Sequence, residues 1–264
     1  MRQESVGIVN RGIFLFILIC MGAGFGCATP APETKKLTKT ERARLLVEIA
    51  NGALVEGDPT GALQSLSSAE QEDGRLPELH HSKALAYFQK HDLPQALLAA
   101  RRAVELKPDY SEANNTLGKL LFEAGKYTEA VPYLKAAAND ALNRETFKAW
   151  TNLGILKYRL EEYAEAEGFL KHAVQDAPLR ACIAFNFLGH IKLKEKNLDE
   201  AIHNYEQATR KLCAGYGDAQ LSLAQAYEQN KQYQFARKAY LEVQKQYPNT
   251  KLAEQAVDHL RYLP

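Results

Sequence analysis

Cysteine is the residue type in this chain that is best suited to chemistry, because a thiolate can be acylated, oxidised to a disulfide or bound to a metal ion. The chain has four: Cys20, Cys27, Cys182 and Cys213. Two lie near the N-terminus and two lie in the last third of the chain. Neither C-x-x-C nor H-x-x-x-H spacing occurs, so the sequence predicts no metal site.

The sequence lacks the arrangements of side chains that catalysis requires. His80 and His81 are the only adjacent histidines, and neighbouring residues of a helix point in different directions. The motifs G-x-S-x-G and H-E-x-x-H and the P-loop are absent. We therefore expect no catalytic residue, no cofactor, no small-molecule substrate and a protein that is not an enzyme.

The charge balance disfavours a further class of partner. The formal net charge is +1 over 264 residues, and removal of residues 1–26 leaves basic and acidic side chains equal in number. Such a balance gives no basic surface for nucleic acid or for peripheral binding to an anionic membrane. We expect no nucleic-acid partner.

The N-terminus has the features of an export signal. Arg2 and Arg11 precede an apolar run at 13–21, which is too short to span a bilayer but suits a signal peptide at 1–26. The segment GAGFGC (22–27) resembles the lipobox at which bacterial signal peptidase cuts before a cysteine that is then acylated. Cys27 is thereby the predicted lipidation site, with palmitate among its acyl chains. The alternative is an ordinary secretory signal that leaves Cys27 a free thiol.

A flexible tether is predicted from Cys27 to residue 41. Its sequence is rich in proline, threonine and lysine, which cannot form a packed core. In the resembling lipoproteins, aspartate directly after the acylated cysteine retains the protein at the inner membrane. This chain has Ala28, so the resemblance implies a lipid-anchored protein on the periplasmic face of the outer membrane of a Gram-negative bacterium.

Internal repeats dominate the rest of the sequence. Three segments share one pattern: LGKLLFEAGKYTEA (117–130), LGILKYRLEEYAEA (153–166) and LGHIKLKEKNLDEA (188–201). Alanine recurs in the same phase at intervals of 34–36 residues: Ala62, Ala96, Ala130, Ala166, Ala201 and Ala236. The period and the LG…A pattern resemble the tetratricopeptide repeat (TPR), a helical hairpin of 34 residues.

The resemblance implies an all-α fold over residues 42–264, a right-handed TPR superhelix (α-α solenoid) of six hairpins with a capping helix at 251–263. The repeats are predicted at about 43–76, 77–110, 111–144, 147–180, 182–215 and 217–250. A small residue at the eighth position lets the two helices of each hairpin approach closely: Ala50, Ala84, Gly118, Gly154, Gly189 and Ala224. A helical array with accidental periodicity is the alternative, and six units in phase argue against it.

A concave groove for a protein partner is the expected functional feature of such a solenoid. Positions 2, 5, 9 and 12 of a TPR generally point into it, and a run of large apolar groups there suits an amphipathic helix or an extended peptide. The predicted groove residues are Leu54, His81, Leu85, Phe88, Phe122, Ile155 and Tyr158. Aromatic residues at position 12 also serve as packing between neighbouring repeats, which is the alternative role. Val47, Asn51 and Ser82 depart from the carboxylate clamp of chaperone-binding TPR domains.

Cys182 and Cys213 occupy positions 1 and 32 of the fifth repeat, at the same end of one antiparallel hairpin. A disulfide between them is geometrically feasible, since it requires Cα atoms about 4.4–6.8 Å apart, and it suits an oxidising periplasm. The alternative is a pair of buried thiols.

The layout of the chain resembles that of the type IV pilus biogenesis/stability lipoproteins, the pilotin family of the PilF/PilW type. The shared features are a lipid signal, a short tether, six TPR units and a cysteine pair in a late repeat. The resemblance implies that the partner is the pilus secretin, whose assembly or localisation the protein assists. Two alternatives are an adaptor lipoprotein for cell-wall enzymes and a structural subunit of an envelope or export complex.

Overall fold

The computed structural model describes residues 36–264, and this range contains helices and turns but no strand. The predicted signal peptide, the predicted lipidation site Cys27 and most of the predicted tether lie outside the described residues. The α-helices of the described range are α1 (Lys39–Val55), α2 (Pro59–Asp73), α3 (Pro77–Gln89), α4 (Leu93–Leu106), α5 (Ser111–Glu123), α6 (Tyr127–Ala138), α7 (Thr146–Arg159), α8 (Tyr163–Asp176), α9 (Cys182–Lys194), α10 (Leu198–Gln207), α11 (Gly217–Gln229), α12 (Tyr233–Gln246) and α13 (Lys251–Tyr262). None of them has the length and apolar character of a membrane span.

Consecutive helices pair into six hairpins, from α1/α2 to α11/α12, and each hairpin packs on the next. The predicted all-α solenoid of six hairpins with a C-terminal capping helix is confirmed. The solenoid begins earlier than expected, because a capping box starts α1 at Lys39. The Thr38 hydroxyl accepts from the backbone N–H of Glu41 at 3.1 Å, and the Glu41 carboxylate accepts from the N–H of Thr38 at 2.7 Å. Residues 39–41, predicted as tether, are therefore helical.

Every hairpin turns at a residue with left-handed backbone conformation. These residues are Gly57, His91, Gly125, Glu161, Lys196 and Lys231. In the first turn, the N–H of Gly57 donates to the Leu54 carbonyl at 3.2 Å, and the N–H of Asp58 donates to the Ala53 carbonyl at 2.8 Å. This is a Schellman motif, and the other five turns repeat it. One type of turn thus sets the geometry of all six hairpins.

The recurring small residues lie where the paired helices touch. All six periodic alanines, from Ala62 to Ala236, are completely buried. In the fourth hairpin, a Cβ atom on Gly154 would lie 2.5 Å from Cγ of Leu170, which is itself fully buried. Gly118 and Gly189 approach their opposing helices equally closely. The glycines therefore permit a helix separation that a methyl group would prevent.

Helix α13 closes the C-terminal end of the solenoid by packing on α12 and α11. A polar contact fastens it, because the carboxylate of Glu228 in α11 accepts from the Tyr240 hydroxyl at 2.5 Å and lies 2.8 Å from Nδ1 of His259. The Tyr240 and His259 rings stack at 5.0 Å. Position 12 is apolar in the first five repeats. In the sixth repeat it is Glu228, whose carboxylate holds the capping helix in place.

The fifth hairpin departs from the pattern. Helix α10 ends at Gln207, and Cys213 lies in a separate 3-10 turn, Lys211–Cys213, instead of at the end of the second helix as expected. The hydroxyl of Thr209 donates to the carbonyl of Glu206 at 3.1 Å, a side-chain bond that competes with continued helix.

Candidate functional site

A cavity of about 850 Å³ lies on the side of the solenoid formed by the first helices of the leading repeats. Helices α1 and α3 form its two walls, and Tyr110, which precedes α5, closes one end. Its lining residues are Arg44, Val47, Glu48, Asn51, Leu54, Val55, Glu78, His81, Ser82, Leu85, Phe88, Gln89 and Tyr110.

The cavity has an apolar floor. Val47 and Leu54 are buried, and Leu85 and Phe88 are half-buried. Val55 stands at the rim and is 89% exposed. Since an exposed valine contributes nothing to the core, it is available to an occupant. The floor and rim together offer the kind of apolar surface against which a peptide buries its own apolar side chains.

Neutral polar groups in the cavity bond to one another. The Ser82 hydroxyl donates to Oδ1 of Asn51 at 2.7 Å, and the Gln89 amide donates to the backbone carbonyl of Leu54 at 3.1 Å. Both bonds join α3 to α1, so they hold the two walls at a fixed separation. The groove is therefore preorganised, which lowers the entropic cost of binding.

His81 closes one end of the floor through one bond to the third repeat and one within its own repeat. Its Nε2 lies 2.9 Å from Oγ1 of Thr116, and its Nδ1 lies 3.3 Å from the hydroxyl of Tyr110. Burial lowers the pKa of His81 to about 4, against the opposing effect of the Glu78 charge, and burial raises the pKa of Tyr110 to about 12. Both side chains are therefore neutral at pH 7, and they contribute packing and hydrogen bonds but no charge to the cavity.

The structure brings four of the seven predicted groove residues together: Leu54, His81, Leu85 and Phe88 line the cavity. Phe122, Ile155 and Tyr158 do not line it. The ring of Phe122 lies 5.4 Å from that of Tyr127, and Phe122 packs against the core of the second to fourth hairpins.

Tyr158 likewise packs between neighbouring repeats. Its ring lies 5.5 Å from Tyr163 in the same hairpin and 5.2 Å from Phe187 in the next. At these two positions the contacts favour the packing role that was the alternative for position 12.

The rule that positions 2, 5, 9 and 12 of a repeat face the groove also identifies lining residues that were not among the seven predicted groove residues. Positions 2, 5, 9 and 12 of the first two repeats line the cavity without exception, and they include Arg44, Val47, Asn51 and Glu78. Their side chains are polar or small, so a criterion of large apolar groups does not find them. Tyr110 ends the second repeat, and no position rule finds it.

The cysteine pair lies far along the chain from this cavity. The structure joins Cys182 and Cys213 in a disulfide with Cα atoms 5.4 Å apart. The bridge ties the start of α9 to the 3-10 turn after α10. Within residues 36–264 no cluster of histidine, cysteine, aspartate and glutamate is arranged to hold a metal ion.

Comparison with known proteins identifies the repeat. The family model described as tetratricopeptide repeat matches residues 81–144, 115–181 and 188–249, which together exceed half of the chain. No curated protein sequence matches at a significant level.

Several solved structures share the fold. PilF of Pseudomonas aeruginosa superposes with a TM-score of 0.70 at 17% identity, covering 84% of this chain and 99% of that one. PilW, described as a widely conserved type IV pilus biogenesis factor, gives a TM-score of 0.70 at 20% identity, covering 81% of this chain and 98% of that one. The anaphase-promoting-complex assembly Cut9–Hcn1 gives 0.72 at 19% identity, but the match spans 42% of that chain. At these identities the likeness shows a common fold.

Proposed function

Because this chain belongs to the tetratricopeptide repeat family, whose members mediate protein–protein interaction, we propose that it holds a segment of a protein partner in the cavity between α1 and α3. The observation that carries the proposal is the preorganised apolar floor of Val47, Leu54, Leu85 and Phe88 beneath an exposed Val55. A groove of about 850 Å³ lies within the roughly 300–1,000 Å³ that is typical of ligand-binding clefts.

The proposed partner is the type IV pilus secretin, and the proposed role is to assist its assembly or localisation at the outer membrane. Two findings support this choice. The fold spans nearly the full length of PilF and PilW, and PilW is a type IV pilus biogenesis factor. The N-terminal sequence has the lipobox-like segment and tether that a membrane-tethered assembly factor requires.

The lipid anchor is tested by metabolic labelling with a palmitate analogue, followed by membrane fractionation. We expect the wild-type chain to carry label and to sediment with the outer membrane, and Cys27→Ala to lose both properties. Export of an unlabelled, freely soluble wild-type chain would show that the N-terminus is an ordinary secretory signal.

The secretin role is tested by deleting the gene and assaying the secretin for SDS-resistant multimers. We expect the multimers to disappear and to return when the wild-type chain is supplied. Multimers that persist at the wild-type level in the deletion strain contradict the secretin role and leave cell-wall enzymes or an export complex as partners.

Complementation of the same strain locates the contact surface. Val55→Asp places a charge at the rim of the cavity, whereas Leu98→Asp changes α4 at a side chain that is 65% exposed and outside the cavity. Both substitutions are at exposed positions, so both variants are expected to retain the helical circular dichroism of the wild type. Val55→Asp should fail to restore multimers and Leu98→Asp should restore them; the reverse pattern would move the contact away from the groove.

A further inference from the structure

The first helix of the solenoid has an apolar face that nothing covers within the described residues. Leu45 and Ile49, at positions 3 and 7 of the first repeat, are 49% and 53% exposed, and Gly52 at position 10 is exposed as well. Their spacing places all three on one face of α1. None of them lines the cavity between α1 and α3, so this face is a surface separate from the groove.

Later repeats bury the same three positions. In the third and fourth repeats they are at most 1% exposed, and the residues are Ala113, Leu117, Leu120, Ala149, Leu153 and Leu156. The first helix of each of these repeats packs on the second helix of the preceding hairpin, α5 on α4 and α7 on α6. The part of the chain that the structure describes holds no helix before α1. The exposed face of α1 is therefore a helix-packing face without its helix.

The charges along the first hairpin are segregated by sign. Residues 36–44 contain four basic residues and one acidic residue, whereas residues 45–74 contain six acidic residues and no basic one. In α1 this order opposes the helix dipole, which favours acidic groups at the N-terminus and basic groups at the C-terminus. Lys39 at the start of the helix and Glu56 at its end are both exposed and form no ion pair among the described residues. The order is self-complementary when two copies of α1 lie antiparallel.

We propose that two copies of this chain dimerise through the uncovered face of α1, related by a two-fold axis that makes the two helices antiparallel. With the axis midway between Leu45 and Ile49, Leu45 of one copy meets Ile49 of the other, and Lys39 lies within one residue of Glu56 of the other copy. Because the contact is symmetric, each pair occurs twice. At Gly52 no atom lies within 4 Å of an added Cβ, so the glycine leaves room for the opposing helix.

Other parts of the chain fit this face poorly. Residues 28–35 contain no large apolar side chain with which to cover Leu45 and Ile49, and the apolar run at 13–21 belongs to the predicted signal peptide. A head-to-tail contact with the last hairpin of another copy would need the open side of α12, which α13 already covers. Both observations favour the symmetric pair.

The proposed interface is small, since it is one face of a helix of 17 residues, and the dimer is accordingly weak in solution. Anchoring both copies in one membrane raises their effective concentration. Helix α1 is about 25 Å long, and residues 28–38 reach up to about 36–40 Å when extended. The two N-termini, at opposite ends of the antiparallel pair, can therefore both reach one bilayer. The contact itself does not depend on the anchor.

Sedimentation equilibrium of the purified mature chain tests the dimer, over a range of concentrations and in a detergent whose density the solvent matches. We expect the wild type to show a monomer–dimer equilibrium. Ile49→Asp places a charge on the shared face and should leave only monomer, with the helical circular dichroism retained because the side chain is exposed. Leu241→Asp is the matched control, at a side chain 50% exposed on α12, and should dimerise as the wild type does.

Exchange of the two charges tests the antiparallel pairing. Lys39→Glu or Glu56→Lys alone replaces two exposed ion pairs by two like-charge contacts, so each should weaken dimerisation by about 10-fold. The double variant restores opposite charges at both contacts and should dimerise within about twofold of the wild type.

A wild-type chain that stays monomeric at every concentration overturns the proposal. A dimer that persists in Ile49→Asp lies on another surface and overturns it as well. A dimer that is lost in Ile49→Asp but is not restored in the double charge variant contradicts the antiparallel pairing. None of these outcomes affects the proposed groove, which Val55→Asp tests separately.

Discussion

Substitution of Gly154 by alanine tests the close helix approach on which every hairpin depends. The added methyl group would lie 2.5 Å from Cγ and 2.6 Å from Cδ2 of Leu170, and 3.3 Å from the Ala166 carbonyl oxygen. Leu170 is fully buried in a core cluster, so its side chain can move only by disturbing that packing. Overpacking of this kind costs about 1–3 kcal/mol, and the better helix propensity of alanine returns about 1 kcal/mol. We expect a net loss of up to about 2 kcal/mol, which lowers the Tm by up to roughly 4–8 °C in a domain of this size.

Gly168→Ala is the matched control in the partner helix of the same hairpin. No atom lies within 4 Å of a Cβ atom built at Gly168, and the residue is exposed in α8. The helix-propensity gain should therefore appear alone, raising the Tm by about 2–4 °C for about 1 kcal/mol. Thermal unfolding followed by circular dichroism compares the two variants. If Gly154→Ala is stabilising to the same extent as Gly168→Ala, then the helices are not held at the separation described.

Three further predictions concern stability. Reduction of the Cys182–Cys213 disulfide, which closes a 31-residue separation, should destabilise the chain by about 3–4 kcal/mol, and an unchanged denaturant midpoint after reduction would show that the bridge does not form. Burial lowers the pKa of His190 from 6.5 to about 4, so in this window the unfolded chain binds a proton that the folded chain does not. Stability should therefore fall as pH is lowered from 6.5 to 4, and fall less in His190→Gln; identical pH profiles would contradict this. Deletion of residues 251–264 should lower the Tm and expose the fully buried Tyr240, seen as increased fluorescence of a dye that binds apolar surface; an unchanged Tm would show that α13 is not a cap.

The regular part of the fold followed from sequence because its physical cause is periodic. Alanine or glycine at a fixed phase marks where two helices touch, and all these residues are buried in the structure. The turns were not predictable in the same way. Gly57 and Gly125 favour left-handed backbone, but His91 and Glu161 adopt it against their own preference, since the packing of the flanking helices determines the turn.

The position of the candidate groove could be predicted from the sequence, but the contacts within it could not. Counting positions within the repeat located Leu54, Leu85 and Phe88 on its floor. The same count could not show that Phe122 packs against Tyr127, because that contact depends on how neighbouring hairpins stack. Nor does sequence show that the Ser82 hydroxyl and the Gln89 amide bond to α1, because these contacts form only when the two helices are packed together.

Site-specific photo-crosslinking in living cells tests the central claim most directly. A photoreactive amino acid replaces either Val55, at the rim of the groove, or Leu98, which is exposed on α4 outside it. The account predicts a crosslinked product with the secretin, identified by mass spectrometry, from position 55 and none from position 98. Crosslinks from position 98 alone, or none to any protein from position 55, would contradict the claim that this groove holds the partner.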